Sequence, residues 1–164
     1  MPNLRPDTDR AIDDLMRDLD NARIKSYPLL LSVRRIAAPG ATPHASLDAL
    51  AAEEGYTGLG ANWIEVPRRI AAKILTHLIA SDLAYPTEVA LPAEAEELAS
   101  RFLALFAPGA RYFTNGTCSG PFAVYDIAGE AVLGWRSISA APFDNGVIGL
   151  AADRVGMLWA EDAP

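Results

Sequence analysis

The chain has 164 residues, 51% of them hydrophobic and 21% charged, and a net charge of −7 at pH 7. That length predicts one domain with room for a sizeable core, and the composition excludes a disordered chain. Acids outnumber bases in both halves, 15 to 11 over residues 1–109 and 6 to 3 over residues 110–164. Phosphate neutralisation needs clustered Lys and Arg, so nucleic acid is not an expected partner. An anionic membrane surface is disfavoured for the same reason.

Four helices are predicted in chain order. In "PDTDRAIDDLMRDLDNARI", Ile12, Leu15, Met16 and Leu19 fall at three- and four-residue steps and form one apolar stripe. Asp7 or Thr8 is placed to cap that helix, with Asp9 in its first turn. The opposite face, with Asp13, Asp14, Arg17, Asp18 and Asp20, reads as solvated. The run Leu29–Val33 is too short for its period to separate helix from strand. Ser46 is the expected cap of a short helix, "LDALAAEE", ending at Gly55. "GYTGLGAN" has glycines but no Lys and no preceding strand, so it reads as a connector and not a phosphate loop. Pro67 suits the start of an amphipathic helix carrying Ile70, Ile74, Leu75 and Leu78. Arg68, Arg69 and Lys73 sit in its first two turns, where they oppose the helix dipole unless acids such as Glu65 pair with them. The alternative for these cations is an anion or partner site. Pro92 opens the fourth helix, with Glu94, Glu96 and Glu97 in the favourable first turn, and Pro108-Gly109 ends it.

From Ala110 the pattern changes. "ARYFTN", "FAVYDIA", "AVLGWRSI", "GVIGLA" and "VGMLWAE" are short runs rich in β-branched and aromatic residues, separated by turn residues. The expectation is a single α+β domain over residues 1–164. Its helical part covers about 7–107, and it packs on an antiparallel meander of about four to five strands within 110–162.

Little in the chain resembles catalytic or metal-binding machinery. His44 and His77 are the only histidines and have no ligand-spaced neighbours, so neither metal nor cofactor is expected. Cys118 is the single cysteine, which fits a reducing compartment, and its turn "TNGTCSGP" offers no base or helix N-terminus to activate a thiol. No catalytic residue is assigned. Acid–base work would draw on Asp126 with Glu130, Asp144, or Glu161 with Asp162, but acids in such places more often end strands or hold turn amides. Trp63, Trp135 and Trp159 read as core or interface anchors. The start "MPNLRPDTDR" lacks a signal-peptide core, and no apolar run is long enough to span a bilayer. Cytoplasm is the expected location.

The chain closes on "FDNGVIGLAADRVGMLWAEDAP". Its two apolar runs do not alternate, so both faces are expected to be covered, or one face to meet a partner. Gly149 and Gly156 leave flat spots for a close approach. The final acids read as charges that keep a hydrophobic strand from aggregating. The pattern Phe143-Asp144, Gly146-Val147, Gly156, Leu158-Trp159, Glu161-Asp162 resembles the endings of small uncharacterised bacterial proteins, and the size and acidity are similar in general character to toxin immunity proteins. That likeness implies an acidic protein-binding module. It would neutralise a basic toxin or effector by occlusion, with Asp144, Asp153, Glu161 and Asp162 as candidate partner contacts. The alternatives are a small enzyme or ligand-binding protein with a pocket between helices and sheet, near Cys118 or the acids around Asp144, and a homodimer in which the apolar strands meet.

Overall fold

The computed structural model describes residues 2–84, 87–117 and 122–162, and Cys118 lies outside them. The class is α+β. Six strands, β1 (Asn3–Pro6), β2 (Leu30–Ala38), β3 (Ile64–Val66), β4 (Arg111–Thr114), β5 (Phe143–Leu150) and β6 (Arg154–Asp162), form one antiparallel sheet. Their order is β1-β2-β6-β5-β4-β3. There are thus six strands, not four to five, and three of them come from the first 66 residues. The ambiguous run at Leu29–Val33 is resolved as strand β2, which extends through Arg34 and Arg35. Alternation explains it: Leu31 and Val33 join one core, and Leu30 and Ile36 join the other.

The helices are α1 (Arg10–Ala22), α2 (Pro43–Glu53), α3 (Arg68–Ala80) and α4 (Pro92–Leu103). Asp9, not Asp7 or Thr8, caps α1 by accepting the Ala11 N–H at 3.0 Å. Thr42, not Ser46, caps α2, and Pro43 occupies its first turn. Ser46 itself is buried. α1, α3 and α4 cover one face of the sheet, where Ile12, Leu15, Ile74, Leu78, Leu98 and Phe102 meet Leu31, Val147 and Leu158. α2 lies on the other face, where Leu47 and Leu50 meet Trp63, Ile148, Met157 and Trp159.

This double cover is why the closing runs do not alternate. β5 and β6 are inner strands, enclosed on both sides. Gly149 pairs with Gly156, and Phe106 lies over both: a Cβ on Gly149 would stand 2.6 Å from its ring, and one on Gly156 3.0 Å. The flat spot is filled from within the chain. On the opposite face Gly146 makes room for the Trp159 ring.

The runs at 122–128 and 131–138 are not strands. Gly129 and Gly134 adopt φ of 85° and 71°; Val124 and Ile138 are buried, and Phe122 and Val132 are only partly buried against the core. The segment folds back on itself as an irregular hairpin. Val132 N–H donates to the Val124 carbonyl, Asp126 N–H donates to the Glu130 carbonyl, and Tyr125 bridges Ala131. No helix of the described residues is long and apolar enough to cross a membrane.

Candidate functional site

The four acids singled out by sequence have different fates. Asp144 and Glu161 face each other across β5 and β6. Asp144 is fully buried: its carboxylate accepts from Asn115 Nδ2 at 2.9 Å, Ser139 Oγ at 2.7 Å and the N–H groups of Ile138 and Ser139. It moors the 136–139 segment to the sheet and is turned away from any surface. Asp162 is not exposed as expected at the end of a strand; it is 4% exposed, and its Oδ2 accepts the Leu83 N–H at 2.5 Å. Burial pushes its carboxyl above the ordinary value, opposed by the Leu83 N–H and by the charge of Arg23. Arg23 is itself buried and donates to the carbonyls of Leu78 and Ile79 at 2.6 and 3.1 Å. β6 is not an edge, so a charge guarding an open edge has no place there. Asp153 lies exposed in the β5–β6 turn, where Arg35 pairs with it at 3.0 Å. Glu161 alone of the four is exposed without an ion pair among the described residues.

The projecting hairpin carries a surface that sequence reasoning missed, because its residues read as strand. Tyr125, Ile127 and Leu133 are 43%, 58% and 91% exposed. Asp126 holds the turn by accepting from Ala128 and Glu130 N–H at 3.0 and 2.8 Å. Ile127 N–H donates at 2.8 Å to the Glu65 carbonyl, so the hairpin is anchored along the outer edge of β3. The signal available in advance was "YDIAGE", an Asp-x-x-Gly turn with apolar neighbours on both sides. Hairpin and sheet edge enclose an open groove of about 700 Å³ lined by Trp63, Glu65, Ile127, Leu133, Trp135 and Arg136. Trp135 stacks on Phe143 at 5.9 Å, which fixes one wall.

Glu65 is taken by Arg111 in a two-pronged pair at 2.7 and 3.1 Å. It does not serve Arg68, Arg69 or Lys73, which are exposed and pair with no carboxylate among the described residues. A second groove, about 820 Å³, lies between α3 and α4 and includes Lys73, His77, Glu96, Glu97, Ser100 and Phe122. Burial lowers the His77 pKa, which favours a neutral imidazole, and its ring meets Phe122 edge-on at 5.9 Å. Beside the end of β6, Tyr27, Pro28, Leu30, Tyr56, Trp159 and Glu161 line a smaller hollow of about 280 Å³. Burial, the adjoining Glu161, and the charges of Asp144 and Glu54 all raise the Tyr56 phenol, which stays neutral. Among the described residues no group of three His, Cys, Asp or Glu side chains could hold a metal ion.

Comparison with known protein families, with curated proteins and with solved structures finds no match for this chain. Function rests on these surfaces alone.

Proposed function

We propose that the chain is a protein-binding module for a basic partner, acting as an immunity-type inhibitor that covers the working surface of a bacterial toxin or effector. The observation that carries this reading is the projecting hairpin. It offers Tyr125, Ile127 and Leu133 to solvent side by side with Asp126 and Glu130. Large apolar side chains ringed by charge are the usual makeup of an interface centre. Their exposure weakens a monomer's solubility. The acidic excess supplies the sign of the partner. α1 and α4 alone carry seven acids and three bases, a net −4 of the chain's −7, joined at Asp18–Arg101. Such a field speeds encounter with a basic surface.

The test is rescue. The neighbouring gene is expressed alone and together with this chain. Growth arrest relieved by the wild type, and no longer relieved by the folded variant Leu133→Asp, supports the reading. A harmless neighbour, or rescue indifferent to Leu133→Asp and Ile127→Asp, defeats it.

The α3–α4 groove favours a second reading, a site for a small ligand. It combines an apolar lining with Lys73, His77 and Glu97. A screen of small metabolites by thermal shift, repeated on His77→Ala, tests it. A shift retained by the variant counts against the groove.

A further inference from the structure

We propose that Tyr27, Tyr56 and Glu161, beside the buried Trp159, form a pocket for one organic cation, the ammonium or guanidinium head of a partner's Lys or Arg side chain. This deepens the protein-binding reading and rests on it for the source of the cation.

Two tyrosine side chains from separate parts of the chain line the hollow, and the buried Trp159, 1% exposed, borders it. Tyr27 precedes β2, Tyr56 follows α2 and Trp159 lies in β6. Aromatic rings attract cations through their quadrupoles, and two tyrosines beside one hollow suit an ammonium group. Pro28 and Leu30 complete an apolar wall suited to the methylenes of a side-chain stem. Glu161 supplies the counter-charge. It is exposed, with the Tyr56 phenol beside it as a hydrogen-bond donor and no ion pair among the described residues, so its charge is not neutralised. Asp144 and Glu54 add their charges behind Tyr56. Arg34 is the cation that reaches toward Glu54, at 3.7 Å, but it divides its charge between Glu53 and Glu54 and does not line the hollow.

Size decides the class of occupant. At about 280 Å³ the hollow falls just below the range of about 300–1,000 Å³ that holds drug-sized ligands, and it suits one side chain. A phosphate or carboxylate is excluded by sign, because the charged group on the lining is an acid.

The experiment uses the whole chain and tetramethylammonium chloride, with tert-butanol as neutral isostere and sodium chloride as ionic-strength control. The Trp159 indole resonance in a proton–nitrogen NMR spectrum, assigned by its loss in Trp159→Phe, is the readout. The expected result is a saturable shift in the millimolar range with the cation. Binding of tert-butanol should be at least about tenfold weaker. Glu161→Gln and Tyr56→Leu should each weaken cation binding at least about fivefold, whereas Tyr56→Phe, which keeps the ring, should hold it within about twofold. No shift, or equal shifts with cation and isostere, overturns the pocket. Leu133→Asp tests the hairpin and must leave this titration unchanged, so the two readings fail separately. If the pocket binds the cation but Glu161→Gln leaves the affinity of a rescued toxin within about twofold, the assignment to a partner's side chain is overturned.

Discussion

Trp159 gives the sharpest test of the core, because its ring and its N–H act in opposite directions. The side chain is 1% exposed, meets Trp63 edge-on at 6.1 Å and lies against Gly146. Its Nε1 is buried with no hydrogen-bond partner among the described residues. Truncating such a ring to Ala removes its transfer free energy and leaves a cavity, about 3–5 kcal/mol in total. At about 2–4 °C per kcal/mol for a chain of this size, Trp159→Ala should lower the melting temperature by about 6–20 °C. Trp159→Phe should behave differently. It gives up three ring atoms, roughly 2 kcal/mol at about 0.8 kcal/mol per methylene-sized group. It also deletes a buried unsatisfied donor, whose presence costs about 1–3 kcal/mol. The two nearly cancel, so the Phe variant should lie within about 1 kcal/mol of the wild type. Urea unfolding followed by far-ultraviolet circular dichroism measures both variants, with an unchanged m-value as the check that the unfolded states compare. If Phe costs as much as Ala, the indole N–H is satisfied in solution and the packing account is wrong. If Ala costs under about 1 kcal/mol, the ring does not belong to the core.

Four further outcomes are expected. Asp7→Asn should destabilise by about 3 kcal/mol in chemical unfolding, because Asp7 is enclosed and pairs with the buried Arg154 at 2.8 Å, leaving that guanidinium under-compensated. Asp144→Ala should release the 136–139 segment, read as faster hydrogen exchange at the Ile138 and Ser139 amides that its carboxylate accepts from. His77 has its pKa lowered by burial, so the folded state holds a proton less readily than the unfolded chain. Stability is therefore fully present above the ordinary value of 6.5 and falls as pH drops from there through the depressed folded value; His77→Gln should flatten that slope in urea midpoints between pH 7 and 5. Association with a basic partner should slow as salt rises, since the screening length is about 8 Å at physiological ionic strength, and a salt-independent on-rate would remove acidic steering.

The helices were readable because their apolar residues repeat at the helical period over three turns, as Ile70, Ile74, Leu75 and Leu78 do in α3. The β5–β6 hairpin was readable because its lack of alternation correctly implied two covered faces. β3 was not: three residues are too few to show a period, and Ile64–Val66 is a strand only because β4 lies beside it. The runs at 122–138 misled in the opposite direction. Val, Ile, Tyr and Trp there satisfy strand propensity, but that propensity measures fit to a half-buried pleated surface, and no continuous one is offered. The site was still harder to read. Asp144, Asp153, Glu161 and Asp162 look alike in a sequence, and their separation into a mooring post, an ion-paired turn, an exposed acid beside Tyr56 and a buried acid depends on Leu83, Arg35 and Asn115, all distant along the chain. Tyr27, Tyr56 and Trp159 share no spacing that would have gathered them.

The placement of β6 between β2 and β5 also governs when the molecule can exist. Leu30 finds its sheet partner only in Trp159. At about 5–20 residues per second, a ribosome takes roughly 6–25 s to travel from one to the other. Throughout that time β2 has an open edge and Leu31 and Val33 have nothing to cover them but the early helices. The nascent chain is therefore aggregation-prone until β6 has emerged. Slowing translation over residues 110–150 should increase losses to aggregation, because the strand that joins β2 to β5 has not yet emerged.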